Sequence, residues 1–299
     1  MTALSHNSGV LASFWYYKRV DLLGMVPPSV PLIIDSCAYS AWTSGGSVTL
    51  REYADWLDVL GDRPKFAINL DVIGESEASY KQWKQLRKLG HDLVPVIHFG
   101  DRPPILERYL DEGATRVAFS GAAVPRIVDK VEKWQAYMFR WMRDNNHMHI
   151  PVHGLGVHMR NRLGRLPWAT TDSSTFSMAW RFGRMGLWTG NRWVQVDLDG
   201  RQMLKHRDLV RRYGFNVRDV AVSEPATRHQ LVRFATRNEI EAGMHPRHNP
   251  ASTTRFMVDG STEHLQLCAR YLANTGHPAT DTPPIVAELI KPPPAAVPS

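Results

Sequence analysis

Leu32-Ile33-Ile34-Asp35-Ser36-Cys37-Ala38-Tyr39-Ser40-Ala41-Trp42 is the stretch on which the fold turns. An apolar run breaks abruptly at Asp-Ser, and a turn of small residues carrying an aromatic follows. A strand buried in a parallel sheet reads as a continuous apolar run, and α/β folds place their chemistry at its C-terminal end. Asp35 therefore stands where a catalytic carboxylate would stand. Trp168-Ala169-Thr170-Thr171-Asp172-Ser173-Ser174-Thr175-Phe176 repeats the pattern, with Asp172-Ser173 closing a second strand-like run. Two carboxylates on separate strand ends can converge in one pocket and do nucleophilic or acid–base work at a sugar carbon.

Working outward from residues 31–36, strand-like and helical stretches alternate. Residues 49–61 read as a helix, with Thr49 at the N-cap and Glu52 at capping-box spacing. Strands are expected at 66–72, 93–99, 115–120, 149–156 and 168–172, and helices at 75–89, 104–111 and 125–144. Gly90 and Gly113 stop two of the helices. This rhythm implies βαβ units around a parallel sheet. No GxGxxG follows the first strand, so a (β/α)8 TIM-barrel-like fold is expected over a dinucleotide-binding sheet. Beyond Phe176, 188–196 and 217–222 read as the last barrel strands. Residues 202–213, 225–240 and 262–273 read as helices of a C-terminal extension beginning at about residue 200. The whole of 1–280 reads as one domain, and 281–299, rich in proline, as a disordered tail.

Composition narrows the class of partner. Apolar residues make up 43% and charged residues 22%, as in ordinary globular chains. No apolar run nears the ~20 residues of a membrane span, and residues 1–10 lack the layout of a signal peptide. Two cysteines, Cys37 and Cys268, cannot build a disulfide framework, which points to a reducing, cytoplasmic compartment. The net charge of +7 and pI near 9.5 suggest a polyanionic partner, nucleic acid being the usual one. Arg160, Arg162 and Arg165 follow the Gly154–Gly156 loop, and Arg181 and Arg184 follow the Asp172 segment. Basic residues placed beside candidate catalytic loops suit phosphate contacts.

Polar residues recur at the ends of the expected strands: Asp35, Asp71, His98, Ser120, His153 with Gly154, and Asp172. Any one of them could be a capping residue; the set, at one end of successive strands, is harder to explain so. Crowded carboxylates raise one another's pKa, which yields a proton donor and an anionic nucleophile in one pocket. Attack at a nucleoside C1′ carbon, whose transition state resembles an oxocarbenium ion, fits that pair. Tyr39 could stack on a base, Asp71 could accept from a guanine-like edge, and the two glycines of Gly154-Leu155-Gly156 allow close approach of a planar ligand.

In order and type, Asp35-Ser36, Tyr39, Asn69-Leu70-Asp71, His98-Phe99-Gly100, His153-Gly154-Leu155-Gly156 and Asp172-Ser173 resemble the motifs of tRNA-guanine transglycosylases. The likeness is greater to their phage-type relatives, the DpdA-like enzymes that insert 7-deazaguanine bases into DNA and so serve restriction evasion. The resemblance spans residues 31–183. It implies Asp172 as the nucleophile at C1′ and Asp35 as the general acid/base. It implies Ser36 and Tyr39 at the bound base and Asp71 on the guanine-like edge. His98 falls near the base carbonyl, and Gly154, Leu155 and Gly156 near the 7-substituent. DNA and a free 7-deazaguanine base are the implied partners, alongside a second copy or a partner protein, and the host cytoplasm is the implied compartment of a phage enzyme.

The chain also departs from that pattern. Cys37 and Ala38 stand where the tRNA enzymes carry two glycines, and their three-Cys-plus-His zinc site cannot be built with Cys268 as the one cysteine after the barrel. His245, His248, His264 and Cys268 are the remaining zinc candidates, although surface histidines are the ordinary reading, and no metal or other cofactor is expected. Three alternatives stay open: the same chemistry on tRNA, a glycoside hydrolase barrel using Asp35, Asp172 and water, and a non-catalytic nucleic-acid-binding barrel.

Overall fold

The computed structural model describes residues 8–36, 38, 45–120, 127–157, 166–173, 184–190, 192–197, 201–212, 214–218, 234, 254–258 and 286–287. The chain separates into two compact units. One comprises Leu11–Leu23 and Leu32–Asp172; the other comprises Met1–Val10, Gly24–Pro31 and Ser173–Ser299.

The first unit is α/β with a parallel sheet. Its strands are the end of β1 (Ser8–Ser13), then β2 (Leu32–Asp35), β3 (Phe66–Ala67), β4 (Val96–Ile97), β5 (Val117–Ser120), β6 (Val152–Leu155) and β7 (Thr170–Ser173). β2 neighbours β1 and pairs in parallel with β3. β4, β5, β6 and β7 pair in parallel in chain order. A parallel bridge between Ile68 and Val94 links the residues just after β3 to those just before β4. Leu32, Ile33 and Ile34 are wholly buried, as a strand covered on both faces requires.

The helices α1 (Phe14–Tyr17), α2 (Leu22–Met25), α3 (Leu50–Leu60), α4 (Ser76–Lys88), α5 (Pro103–Asp111) and α6 (Val128–Asp144) complete the layers. The capping box on α3 is formed: Thr49 Oγ1 accepts from the Glu52 N–H at 3.2 Å, and Glu52 Oε2 accepts from the Thr49 N–H at 3.1 Å. Tyr53, Ala54, Trp56, Leu57 and Leu60 make one buried stripe at helical spacing. α4 and α5 meet through Trp83 and Tyr109, whose rings are edge-to-face at 5.1 Å. Trp83 Nε1 also donates to Leu93 O at 2.8 Å, which gives the buried indole its polar partner.

β3 and β4 are much shorter than the expected strands at 66–72 and 93–99. Pro95 has no N–H to give to the ladder, so β4 begins only at Val96. The Ile68 and Asn69 N–H groups still donate to Ile34 O and Val94 O; beyond them the chain leaves the ladder, and Asp71 and Val72 take up side-chain contacts instead. β1 was not expected at all; its Ser-Gly-Val-Leu-Ala-Ser sequence is too rich in small residues to stand out.

The second unit corrects the reading of 188–196 as one strand. β8 (Arg184–Trp188) and β9 (Trp193–Asp197) are an antiparallel hairpin, reversed where the Thr189 N–H donates to Arg192 O at 3.0 Å. Thr-Gly-Asn-Arg in the middle of that apolar run is a turn signal that outweighs the flanking pattern. The expected helix at 202–213 is two short ones, α7 (Arg201–Leu204) and α8 (Arg207–Arg212). Val217 is helical rather than extended, while 219–222 lie outside the described residues. The helix expected at 262–273 lies outside them, as does that at 225–240 save for Phe234. β10 (Thr254–Val258) follows, and β11 (Val286–Ala287), within the proline-rich tail, pairs in parallel with Gly9 of β1.

Candidate active site

Because the strands of the first unit are parallel, all their C-terminal ends lie at one edge of the sheet. Register then decides which side chains share a face. Ile33 pairs with Phe66, Ile68 with Val94, Val96 with Ala118, Ala118 with His153, and His153 with Thr170. These residues lie on one face in successive levels, and part of that face is a packed cluster of Ile68, Val94, Val96 and Ala118. Two residues further along their strands stand Asp35, His98, Ser120, Leu155 and Asp172, necessarily on the same face. Five expected site positions thus share one face at the sheet's C-terminal edge, with His98, Ser120, Leu155 and Asp172 at one level and Asp35 at the level of Ile68.

Asp172 is held from two sides. Its Oδ1 accepts from the Gly156 N–H at 2.9 Å and from His153 Nε2 at 3.2 Å. His153 is fully buried, and its Nδ1 lies 2.7 Å from Thr170 Oγ1. The imidazole is thus held at both ring nitrogens, between Thr170 and Asp172. Both described hydrogen bonds of Asp172 fall on Oδ1. Gly156 presents its N–H from a backbone with φ of 63°, a conformation that favours glycine. Gly154 answers a different need: a Cβ there would stand 2.7 Å from Val157 Cγ2 and 3.1 Å from Trp168 Cε3. Leu155 packs on the buried cluster of the same face, so its role includes core packing.

Asp71, His98 and Asp101 form a second group. His98 Nε2 is 2.8 Å from Asp71 Oδ2, and the His98 backbone N–H donates to Asp101 Oδ2 at 2.8 Å. His98 Nδ1 is buried without a hydrogen bond among the described residues, 3.9 Å from Asp101 Oδ2. Burial by itself would lower the imidazole pKa; the hydrogen bond and charge of Asp71 and the charge of Asp101 outweigh it, and the net shift is upward. Asp101 is fixed in turn by the hydroxyl of Ser76, and its carbonyl accepts from Trp134 Nε1 at 2.8 Å.

Asp35 lies 3.3 Å from the donor Ser13 Oγ, on the neighbouring strand β1. Ser36 is fully buried, and its Oγ has no hydrogen-bond partner among the described residues. The Tyr53 hydroxyl donates to Ile68 O at 2.7 Å. Complete burial pushes the Tyr53 phenol well up, and the charges of Asp35 and Asp71 push it further, so this ring feels both carboxylates. Ser120, at the end of β5, gives its Oγ to the Phe99 N–H at 2.6 Å, while its carbonyl accepts from the buried Gln135 at 2.9 Å.

Tyr39, Arg160, Arg162, Arg165 and Arg181 lie outside the described residues. Arg184 stands on β8 opposite Asp197 of β9. His245, His248, His264 and Cys268 are likewise outside, and among the described residues no group of three His, Cys, Asp or Glu side chains is arranged to hold a metal ion. Among the same residues no helix is long and apolar enough to cross a membrane.

The sequence reading places His153 among the strand-end polar residues without giving it a role, and misses Thr170 and Asp101 as site residues. His153 was visible as a histidine inside an apolar strand, and Thr170 as the residue two before Asp172. Asp101 carried the signal of an acidic residue three after His98 at a strand-to-helix turn. Comparison of the chain with protein-family models, with curated proteins and with solved structures returns no match.

Proposed function

We propose that this chain is a base-exchange transglycosylase that replaces guanine in DNA with a 7-deazaguanine base, such as 7-cyano-7-deazaguanine, through a covalent Asp172–sugar intermediate. The observation that carries the reading is the anchoring of Asp172. Two N–H donors on one carboxylate oxygen stabilise the anion and aim the other oxygen, which is what a carboxylate nucleophile needs.

In this reaction Asp172 Oδ2 bonds to C1′ as the bond from C1′ to guanine N9 breaks. Asp35, entering as the carboxylic acid, gives its proton to the departing base. It takes a proton from N9 of the incoming base, which then bonds to C1′ and releases the Asp172 carboxylate. Asp71 reads the base edge: its Oδ2 is committed to His98, 2.8 Å away, which fixes the position of the carboxylate. The target guanine must leave the helical stack at a cost of a few kcal/mol.

The proposal includes a closed (β/α)8 barrel within residues 1–280. Two observations support it. The Ile68–Val94 bridge continues the parallel succession across β3 and β4. The Phe66 and His153 rings, on β3 and β6, lie 5.6 Å apart. Three strand spacings of ~4.8 Å separate those strands in a flat sheet, so their side chains meet over a strongly curled one.

The test is incubation of the purified protein with duplex DNA and labelled 7-cyano-7-deazaguanine, with tRNA as a parallel acceptor and Asp172→Ala as the control. Label entering DNA and absent from the control is the expected result. Label entering tRNA alone transfers the chemistry to that acceptor. No label in either overturns the proposal.

A further inference from the structure

The second unit contains a cavity of about 440 Å³ lined by Leu204, Arg207, Arg211, Phe215, Asn216, Val217 and Arg218. We infer that it is a phosphodiester-binding site for nucleic acid, held by Arg207, Arg211 and Arg218.

The local chain explains how three guanidinium groups come to share one cavity. Arg207 and Arg211 are four residues apart on α8 and so project from one helix face. Gly214 then turns the chain, its N–H donating to Arg211 O at 2.8 Å and that of Phe215 to Val210 O at 3.2 Å. The turn returns Arg218 to the same cavity, where Asn216 Oδ1 accepts from the Arg218 N–H at 3.0 Å. Phe215 of the lining packs edge-to-face on Phe234 at 5.8 Å, and Val210 on α8 is fully buried.

Charge selects the ligand. Residues 201–218 carry six Lys or Arg and one carboxylate, Asp208. Asp208 lies on the exposed surface, 3.9 Å from Arg207, and among the described residues Arg211 and Arg218 have no acidic partner. The field is felt nearby: burial lowers the His206 pKa, and Lys205 and Arg192 lower it further. Arginine presents forked donors that match phosphate oxygens, and an apolar floor with one amide suits the sugar and base edge next to that phosphate. The volume falls within the ~300–1,000 Å³ of small-ligand sites, room for about one nucleotide unit of a strand.

This site deepens the transglycosylase reading by assigning where the acceptor's backbone is gripped, but its test needs no turnover. Binding of labelled duplex DNA and of labelled tRNA would be measured across a salt series on the full chain carrying Asp172→Asn. To that background are added either Arg211→Gln with Arg218→Gln, or Lys81→Gln with Lys88→Gln on exposed α4 as a charge-matched control. Loss of two phosphate contacts should weaken binding roughly 10-fold or more and flatten the salt slope by about 2, with the control pair near the parent. Thermal melting of each variant separates this loss from unfolding, since both arginines reach a surface cavity. The nucleic acid showing the loss is the one the site grips. Equal weakening by both pairs, or none by the arginine pair, overturns the inference. Failure of base exchange with the arginine-specific loss intact would remove the transglycosylase reading and leave this site standing.

Discussion

His98 Nε2 and Asp71 Oδ2 stand 2.8 Å apart, joining the end of β4 to the loop after β3 at the sheet edge where Asp35 and Asp172 also lie. Each is nearly buried, at 10% side-chain exposure. The pair fixes the position of a carboxylate that the proposed chemistry uses to read a base, and the charge of that carboxylate raises the pKa of the histidine.

The first prediction concerns pH. The folded-state pKa of His98 is raised above its ordinary 6.5, so the stability from this group is fully present below about pH 6.5 and is lost as pH rises through the folded value. Urea denaturation of the parent and of His98→Gln should therefore differ more at pH 6 than at pH 9. A difference that grew with pH would contradict the ion pair. Titration of the His98 ring by NMR should give a midpoint above 6.5.

Asp172→Asn should leave the melting temperature close to the parent, because the amide oxygen can still accept from Gly156 and His153. It should lower kcat for base exchange by at least about 10³-fold, the scale seen when a nucleophile is removed. In the parent, rapid acid quench with a DNA acceptor should trap a protein–nucleic acid adduct by mass spectrometry. An adduct persisting in Asp172→Asn would place the nucleophile elsewhere.

Gly154→Ala should destabilise the protein by roughly 1–3 kcal/mol, since the added Cβ would meet Val157 and Trp168 inside van der Waals contact. Activity should fall further than stability, because the same strand leads into the Gly156 N–H that anchors Asp172. Chemical denaturation and base-exchange rates measured on one preparation compare the two losses; a variant as stable and as active as the parent would show the cradle to be loose.

Thr49→Ala separates fold from site. It removes the capping box of α3 and should cost about 1 kcal/mol without altering the rate of exchange. The Glu52 carboxyl is lowered from 4.5, chiefly by the Thr49 hydroxyl and then by its backbone N–H. That contribution is present above pH 4.5 and fades as pH falls through the folded value, so the parent and Thr49→Ala should converge in stability in acid.

The alternation of strands and helices, the capping box and the Asp-Ser strand ends were legible in the sequence because each rests on neighbours a few residues apart. An apolar run of Leu-Ile-Ile fixes a buried strand locally, and Thr49 with Glu52 fixes a helix start locally. The same locality explains the miss at 188–196, where a four-residue turn was hidden inside an apolar pattern.

What the tertiary structure decided is which side chains meet. His153 reaches Asp172 only because β6 and β7 pair with His153 opposite Thr170, and a slip of one residue would turn the histidine to the other face. Asp71 and His98 are 27 residues apart in sequence, and no local pattern reports a hydrogen bond between them. The cavity of Arg207, Arg211 and Arg218 likewise depends on the chain turning back at Gly214. Sequence determines elements through short-range periodicity, whereas strand register and chain reversal set the distances that chemistry requires.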